Sequence, residues 1–191
     1  MALTNLNRKL LFVAALVAAL AGGFNHSASQ AQTPAGPAVL TVTGKIGRSN
    51  RPGFEATRDV FFNYHQRSFT QAFEFDLIML EALGMREAVI SYPGLTQPIA
   101  VEGPLLRDVL AAAGAEPGTI RITALDGFTT IIDHAVLERE NWIVALKAGG
   151  RYLSLGQQGP AWVVYARRDG KPGTAQDEER WPWAAFLFEV E

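Results

Sequence analysis

Apolar residues fall into short alternating runs along most of this chain. Val39 to Ile46 sets Leu40, Val42 and Ile46 among small and polar neighbours, the period of a half-buried strand. Ile120, Ile122 and Ala124 alternate in the same way and run into Asp126-Gly127, from which Phe128 to Ile132 returns. Val89 to Tyr92 reads as a strand stopped by the turn dipeptide Pro93-Gly94, and Ile99 to Val101 as another. Trp142 to Leu146, then Ala148-Gly149-Gly150, then Tyr152 to Leu155 has the grammar of a hairpin. Ala161 to Ala166 is apolar throughout, which predicts a strand buried on both faces. Trp183, Phe186, Phe188 and Val190 mark an alternating strand at the end.

Helical spacing is rarer. Leu105, Leu106, Val109, Leu110 and Ala113 form one apolar face, with Pro104 at the first helical position and Gly114 past the end. Asp76 is placed to cap a helix over Leu77 to Leu83, with Gly84 at its C-terminal end. Asp133 is placed to cap a short helix through Arg139. Phe61, Phe62, Phe69, Phe73 and Phe75 recur without a clean period; Phe54 to Phe75 reads as a strand, then a turn of helix entry, with its rings in the core. Gly47 to Gly53 and Asp169 to Glu179 read as polar loops. Many strands broken by two or three short helices predict an α+β domain with mixed pairing.

The first residues have a different character. Arg8 and Lys9 precede an apolar run from Leu10 to Leu20, Gly22-Gly23 breaks it, and small residues lead to Ser29-Gln30-Ala31. This is the layout of a secretory signal peptide, with cleavage expected after Ala31. The competing reading, an uncleaved anchor, asks for ~20 apolar residues, more than the run supplies. The expected organisation is a signal peptide over 1–31, a flexible Pro/Gly/Ala-rich lead-in over 32–38 and one domain over 39–191, exported to the periplasm. Once the signal peptide is set aside, about 160 residues remain, enough for one domain with a core, and 48% of the whole chain is apolar, as in ordinary globular proteins.

Charge and cysteine count narrow the chemistry. The formal charge is −2 and there is no basic stripe, which argues against a nucleic-acid partner. With no cysteine, the chain has no disulfide, thiolate metal site or Cys nucleophile. His26, His65 and His134 show no ligand spacing, so no protein metal site is expected. There is no Gly-x-Ser-x-Gly elbow and no phosphate loop, and the acidic runs read as solvated faces. No catalytic residue set emerges. Two stretches stand out instead: Ala124-Leu125-Asp126-Gly127-Phe128 and Gly159-Pro160-Ala161-Trp162-Val163-Val164-Tyr165. Each joins strand-type residues to a Gly or Pro turn, which suits the rim of a pocket for a flat ligand. The plainer alternative makes Asp126-Gly127 an ordinary turn and Trp162 and Tyr165 core.

The order of segments carries a resemblance. Leu40 to Ile46 is followed by Phe75-Asp76-Leu77, then by Val101-Glu102-Gly103-Pro104-Leu105-Leu106-Arg107-Asp108-Val109-Leu110 with Gly114-Ala115. Then come the two rim stretches, with Trp183 ahead of the final strand. In this order the chain resembles the molybdopterin-binding domain of the sulfite oxidase family, most of all its small exported members that consist of that domain alone. The resemblance implies a mixed α+β fold around a pterin cleft. It also implies a molybdenum-ligating Cys, which this sequence does not have. Some single-domain relatives are periplasmic pterin-binding proteins that act with the sensor portion of a membrane-bound enzyme controlling cyclic di-GMP. The implied function is therefore a non-catalytic pterin receptor partnered with such a sensor. The alternative is a molybdopterin-dependent oxidoreductase that holds its cofactor without Cys.

For a pterin, Asp126 could accept two hydrogen bonds from the amino and N–H edge, while Trp162 and Tyr165 stack on the ring. Gly127, Phe128, Tyr92 and Trp183 complete the expected ligand-binding set. In the look-alike group a Trp follows the Tyr92-Pro93 position, where this chain has Gly94. An Arg approaches the Gly-Pro pair, where this chain reads Gly156-Gln157-Gln158.

Overall fold

The computed structural model describes residues 32–191, so the expected signal peptide lies outside the described residues. Eleven strands and five short helices make up an α+β architecture with three sheets among the described residues. The largest sheet has five strands: β1 (Leu40–Gly44), β2 (Ala72–Phe75), β5 (Ile120–Ala124), β6 (Thr129–Ile132) and β11 (Ala185–Val190). Their spatial order is β2-β1-β11-β5-β6; β1 runs parallel to β11 and the other pairs are antiparallel. Mixed pairing is thus as the sequence predicts. In β1 the β-branched Thr41, Val42 and Thr43 are buried alongside Leu40, because the strand is paired on both edges and covered on both faces.

A four-stranded sheet runs β3 (Arg86–Ile90), β4 (Ile99–Gly103), β8 (Lys147–Ala148) and β9 (Arg151–Tyr152) in that spatial order. The third sheet pairs β7 (Trp142–Ala145) with β10 (Trp162–Tyr165). All eight residues of this pair are buried, as the unbroken apolar run of β10 predicts. The expected hairpin over 142–155 is only partly formed. Gly149-Gly150 turns β8 into β9, but β7 pairs with β10, and at Leu146 the chain passes from one sheet to the next. Gly103 makes the close join between sheets possible, since a Cβ there would lie 1.9 Å from the Val144 carbonyl oxygen.

Three helices are where the pattern predicts them. In α2 (Leu77–Ala82), Asp76 accepts a hydrogen bond from the Met79 amide at 2.8 Å, and Gly84 follows with φ +96°. In α3 (Leu106–Ala112), Leu106, Val109 and Leu110 face the core, although Pro104 stands before the cap rather than at the first helical position. In α4 (His134–Arg139), Asp133 occupies the N-cap without a side-chain cap bond. The Phe54–Phe75 segment reverses the expected order, since α1 (Val60–Tyr64) comes first and β2 follows. The loop over 169–179 contains the single turn α5 (Ala175–Glu178), closed by a capping box of Thr174 and Asp177.

The lead-in over 32–38 makes specific contacts with the domain. Residues 32–38 form no helix or strand, yet Asp76 Oδ2 accepts from the Ala35 and Gly36 amides at 2.7 and 2.9 Å. Asn50 Nδ2 further donates to the Gln32 carbonyl at 2.8 Å. One carboxylate thus caps α2 and pins the lead-in, and those amides hold its pKa below the ordinary carboxylate value. Among the described residues no helix is long and apolar enough to cross a membrane.

Candidate functional site

The two rim stretches meet at one short backbone junction. The Leu125 amide donates to the Ala184 carbonyl at 2.9 Å, and the Ala184 amide donates to the Gln158 carbonyl at 2.8 Å. Ala184 is therefore the bridge between the 124–128 turn and the Gly159-Pro160 segment. It sits at φ +52°, a left-handed conformation that nothing in an Ala residue advertises. Gly159 presses against the 153–154 backbone, and a Cβ on it would lie 2.4 Å from the Leu153 carbonyl oxygen. Its neighbour Pro160 follows a cis peptide bond.

Leu125 and Pro160 open onto a cleft of about 640 Å³, within the usual range for a small-molecule site. Phe61, Phe62 and Phe186 form an aromatic part of its lining, and Ala38 to Thr41, Glu74 and Leu155 complete it. The rings pack on one another: Phe186 lies 5.0 Å from Phe61 and 5.7 Å from Phe62, centroid to centroid. Phe186 is 7% exposed and belongs to the core, whereas Phe61 is 43% exposed and offers a free face. His65 packs against both Phe61 and Phe186, and its Nε2 is buried with no hydrogen-bond partner among the described residues.

Helix α1 carries Phe61 and Phe62 and is held in place by charge. Arg51 bonds Asp59 at the start of α1 at 2.5 Å and Glu74 on β2 at 2.7 Å. Its guanidinium carbon also lies 4.9 Å from the centre of the Phe69 ring. Burial works against the Asp59 charge, but hydrogen bonds from Arg58, Arg51 and the Glu55 amide hold its pKa at about 2. Glu74 is the one ionisable side chain in the cleft lining among the described residues, and Arg51 engages its Oε1.

The expected ligand set does not assemble as one site. Asp126, Gly127 and Phe128 form an exposed turn, in which Asp126 Oδ1 accepts from the Phe128 amide at 2.9 Å. Gly127 takes φ +89° there, with the His65 ring 3.8 Å from where its Cβ would be. Trp162 and Tyr165 are 3% and 6% exposed and face other rings, not Asp126. Their placement corrects the stacking expectation: a strand covered on both faces leaves neither ring a surface for ligand. Tyr92, Trp162, Tyr165, Trp142 and Trp181 instead form a packed aromatic cluster with mostly edge-to-face contacts. Trp183 is 60% exposed at the approach to β11.

Tyr92 accounts for one departure from the look-alike group. A Cβ on Gly94 would lie 2.8 Å from Tyr92 Cε2 and 3.3 Å from Glu178 Oε1, so the Tyr92 ring fills the space that a larger residue at 94 would need. Burial, with the Glu178 charge second, raises the Tyr92 pKa above the ordinary phenol value. The residues that sequence reasoning missed are Phe61 and Phe62, read only as core aromatics, Phe186, read only as part of the final strand, and the junction residue Ala184.

A molybdenum centre of the kind the resemblance implies does not fit this chain, because no cysteine is present to supply a thiolate. No family model matches the sequence, and no curated protein matches it. Among solved structures, the chain is similar to the sulfane dehydrogenase SoxCD from Paracoccus pantotrophus, with a TM-score of 0.53 and 13% identity. The match covers 80% of this chain but only 38% of that one. At such identity the likeness carries the fold and not the activity. The chain has an α+β fold of the sulfite oxidase type, shared with part of that structure.

Proposed function

We propose that this chain is a non-catalytic binding protein for a pterin or a similar flat heterocycle, acting in the periplasm. On this reading it signals occupancy to the periplasmic portion of a membrane-bound sensor that controls cyclic di-GMP. The observation that carries the reading is the convergence of Leu125 and Pro160 on a cleft with an aromatic wall, in a chain without the thiolate an oxidoreductase of this fold would need. The binding surface differs from the one the sequence suggested. The exposed face of Phe61 stacks on the heterocycle, Leu125 and Pro160 hold its edge, and Glu74 accepts from its amino and ring N–H donors.

The test is to purify the protein from its own host, heat it and record the fluorescence of the supernatant. Released oxidised pterin, seen as blue emission in proportion to protein, supports the proposal. A dark supernatant together with stoichiometric molybdenum in the intact protein replaces it with a cofactor-dependent enzyme that uses no Cys ligand. A dark supernatant without metal, and no uptake of added pterin, leaves the cleft without a ligand role.

A further inference from the structure

A second cleft, of about 520 Å³, carries a different chemistry. One wall is β3, and the chain leaving β10 at Ala166 to Arg168 also lines it. Leu105 and Ile143, both nearly buried, contribute apolar surface. Four arginines line it against a single carboxylate, Glu87. Arg167 is already neutralised, since it bonds Asp169 at 2.8 Å and Asp177 at 3.2 Å. The other three, Arg86, Arg107 and Arg168, form no salt bridge among the described residues; Arg107 only donates to the Asn141 side chain at 3.1 Å. The whole chain carries 19 acidic residues against 17 basic ones. Three guanidinium groups with no carboxylate partner among the described residues, in one cleft of such a chain, are a local surplus of positive charge that an anionic ligand relieves.

The backbone beside them narrows the ligand further. β3 is the end strand of its sheet and pairs only with β4, so its outer edge is open among the described residues. Charged residues on an end strand commonly serve to discourage pairing. That accounts for Arg86 and Glu87, but not for Arg107 on α3 or Arg168 beyond β10, which reach the same cleft from other elements. An open strand edge, apolar surface and guanidinium groups together suit an extended segment whose acidic side chains alternate with apolar ones.

We propose that this cleft docks an extended acidic segment of another protein, added as a strand beside β3 and read by Arg86, Arg107 and Arg168. The site is separate from the Phe61 cleft and holds whether or not that cleft takes a pterin.

The test uses the purified protein and a fluorescent peptide alternating Glu and Val, followed by anisotropy at low and high salt. Binding that weakens with salt is expected, with slowed amide exchange over Arg86–Ile90. Reversal of all three arginines to Glu abolishes it. Arg168→Gln alone, at an exposed side chain, weakens it roughly fivefold, about the upper value of one solvent-exposed ion pair, and keeps the proposal testable if the triple variant does not fold. Phe61→Ala leaves peptide binding unchanged. Equal affinity for a Lys/Val peptide, unaltered exchange over β3, or affinity unaffected by Arg168→Gln overturns the proposal. So does binding to phosphatidylglycerol vesicles with none to the peptide.

Discussion

Tyr165 donates its hydroxyl hydrogen bond to Asp177, tying the buried strand β10 to the single turn α5. Asp177 also accepts from the Thr174 amide at 2.8 Å, the Thr174 hydroxyl at 2.9 Å and Arg167 at 3.2 Å. One carboxylate thereby fastens the 167–181 loop over the aromatic cluster. Tyr165→Phe keeps the ring and removes only this bond. The expected cost is about 2 kcal/mol, the usual range for a hydrogen bond to a charged group, measured by denaturant unfolding. A cost near zero would show that Thr174 and Arg167 hold the loop alone.

The same pair sets a pH window at each end. Burial opposes ionisation of Asp177, but the Thr174 amide, the Tyr165 hydroxyl and the other donors hold its pKa at about 2. Asp59 stands at about 2 as well. Both values lie below those of the unfolded chain, so their stabilisation is complete above roughly pH 4 and disappears as pH falls towards 2. Burial, then the bond to Asp177, raises the Tyr165 phenol to about 12. Its folded value exceeds the unfolded one, so that contribution is complete below roughly pH 10 and declines from there to 12. Denaturant midpoints measured from pH 2.5 to pH 11 should therefore fall at both ends. In Asp177→Asn the acid fall should be shallower; an identical acid slope would remove Asp177 from the account.

Gly159 is expected to be intolerant of substitution. A methyl group there meets the Leu153 carbonyl oxygen, part of the backbone rather than a movable side chain. Gly159→Ala should cost about 3 kcal/mol, the upper range for forced overpacking, and displace Pro160 at the cleft rim. Unfolding midpoints check the first effect. Wild-type stability in this variant would mean that the 153–160 segment adjusts freely.

Phe61 and Phe186 should separate binding from folding. Phe186 is buried, so Phe186→Ala is expected to lose about 3–5 kcal/mol of stability. Phe61 has an exposed face, so Phe61→Ala should change stability by less than about 1 kcal/mol. Thermal melts of the two variants measure the difference. Equal losses would show that Phe61 is core, not a ligand surface.

Much of the fold was legible because it is written in local chemistry. The alternation of β1 and β5, the Asp76 cap, the apolar face of α3 and the Asp126-Gly127 turn each depend on neighbours in sequence. Sheet assignment does not. Gly149-Gly150 marks a turn correctly, but nothing local says that β7 prefers β10 to the strand just beyond that turn. The site suffered more. The reading of 161–166 as buried on both faces holds through Tyr165, with Ala166 half-buried, and it already conflicted with Trp162 and Tyr165 as ligand-facing rings. Asp126 is satisfied by an amide two residues away, a local bond typical of Asp in turns. Phe61 and Phe186 are 125 positions apart in numbering and come together only through α1 packing on β11, which no local pattern encodes.

The most direct test of the account is an equilibrium titration of oxidised pterin into the wild-type chain, Phe61→Ala and Asp126→Ala. Saturable binding to the wild type is expected, weakened roughly tenfold by Phe61→Ala, the equivalent of ~1.4 kcal/mol for one lost aromatic face. Asp126→Ala should bind nearly as the wild type does. No saturable binding, or binding lost in Asp126→Ala and untouched in Phe61→Ala, would contradict a ligand site at the Phe61 wall.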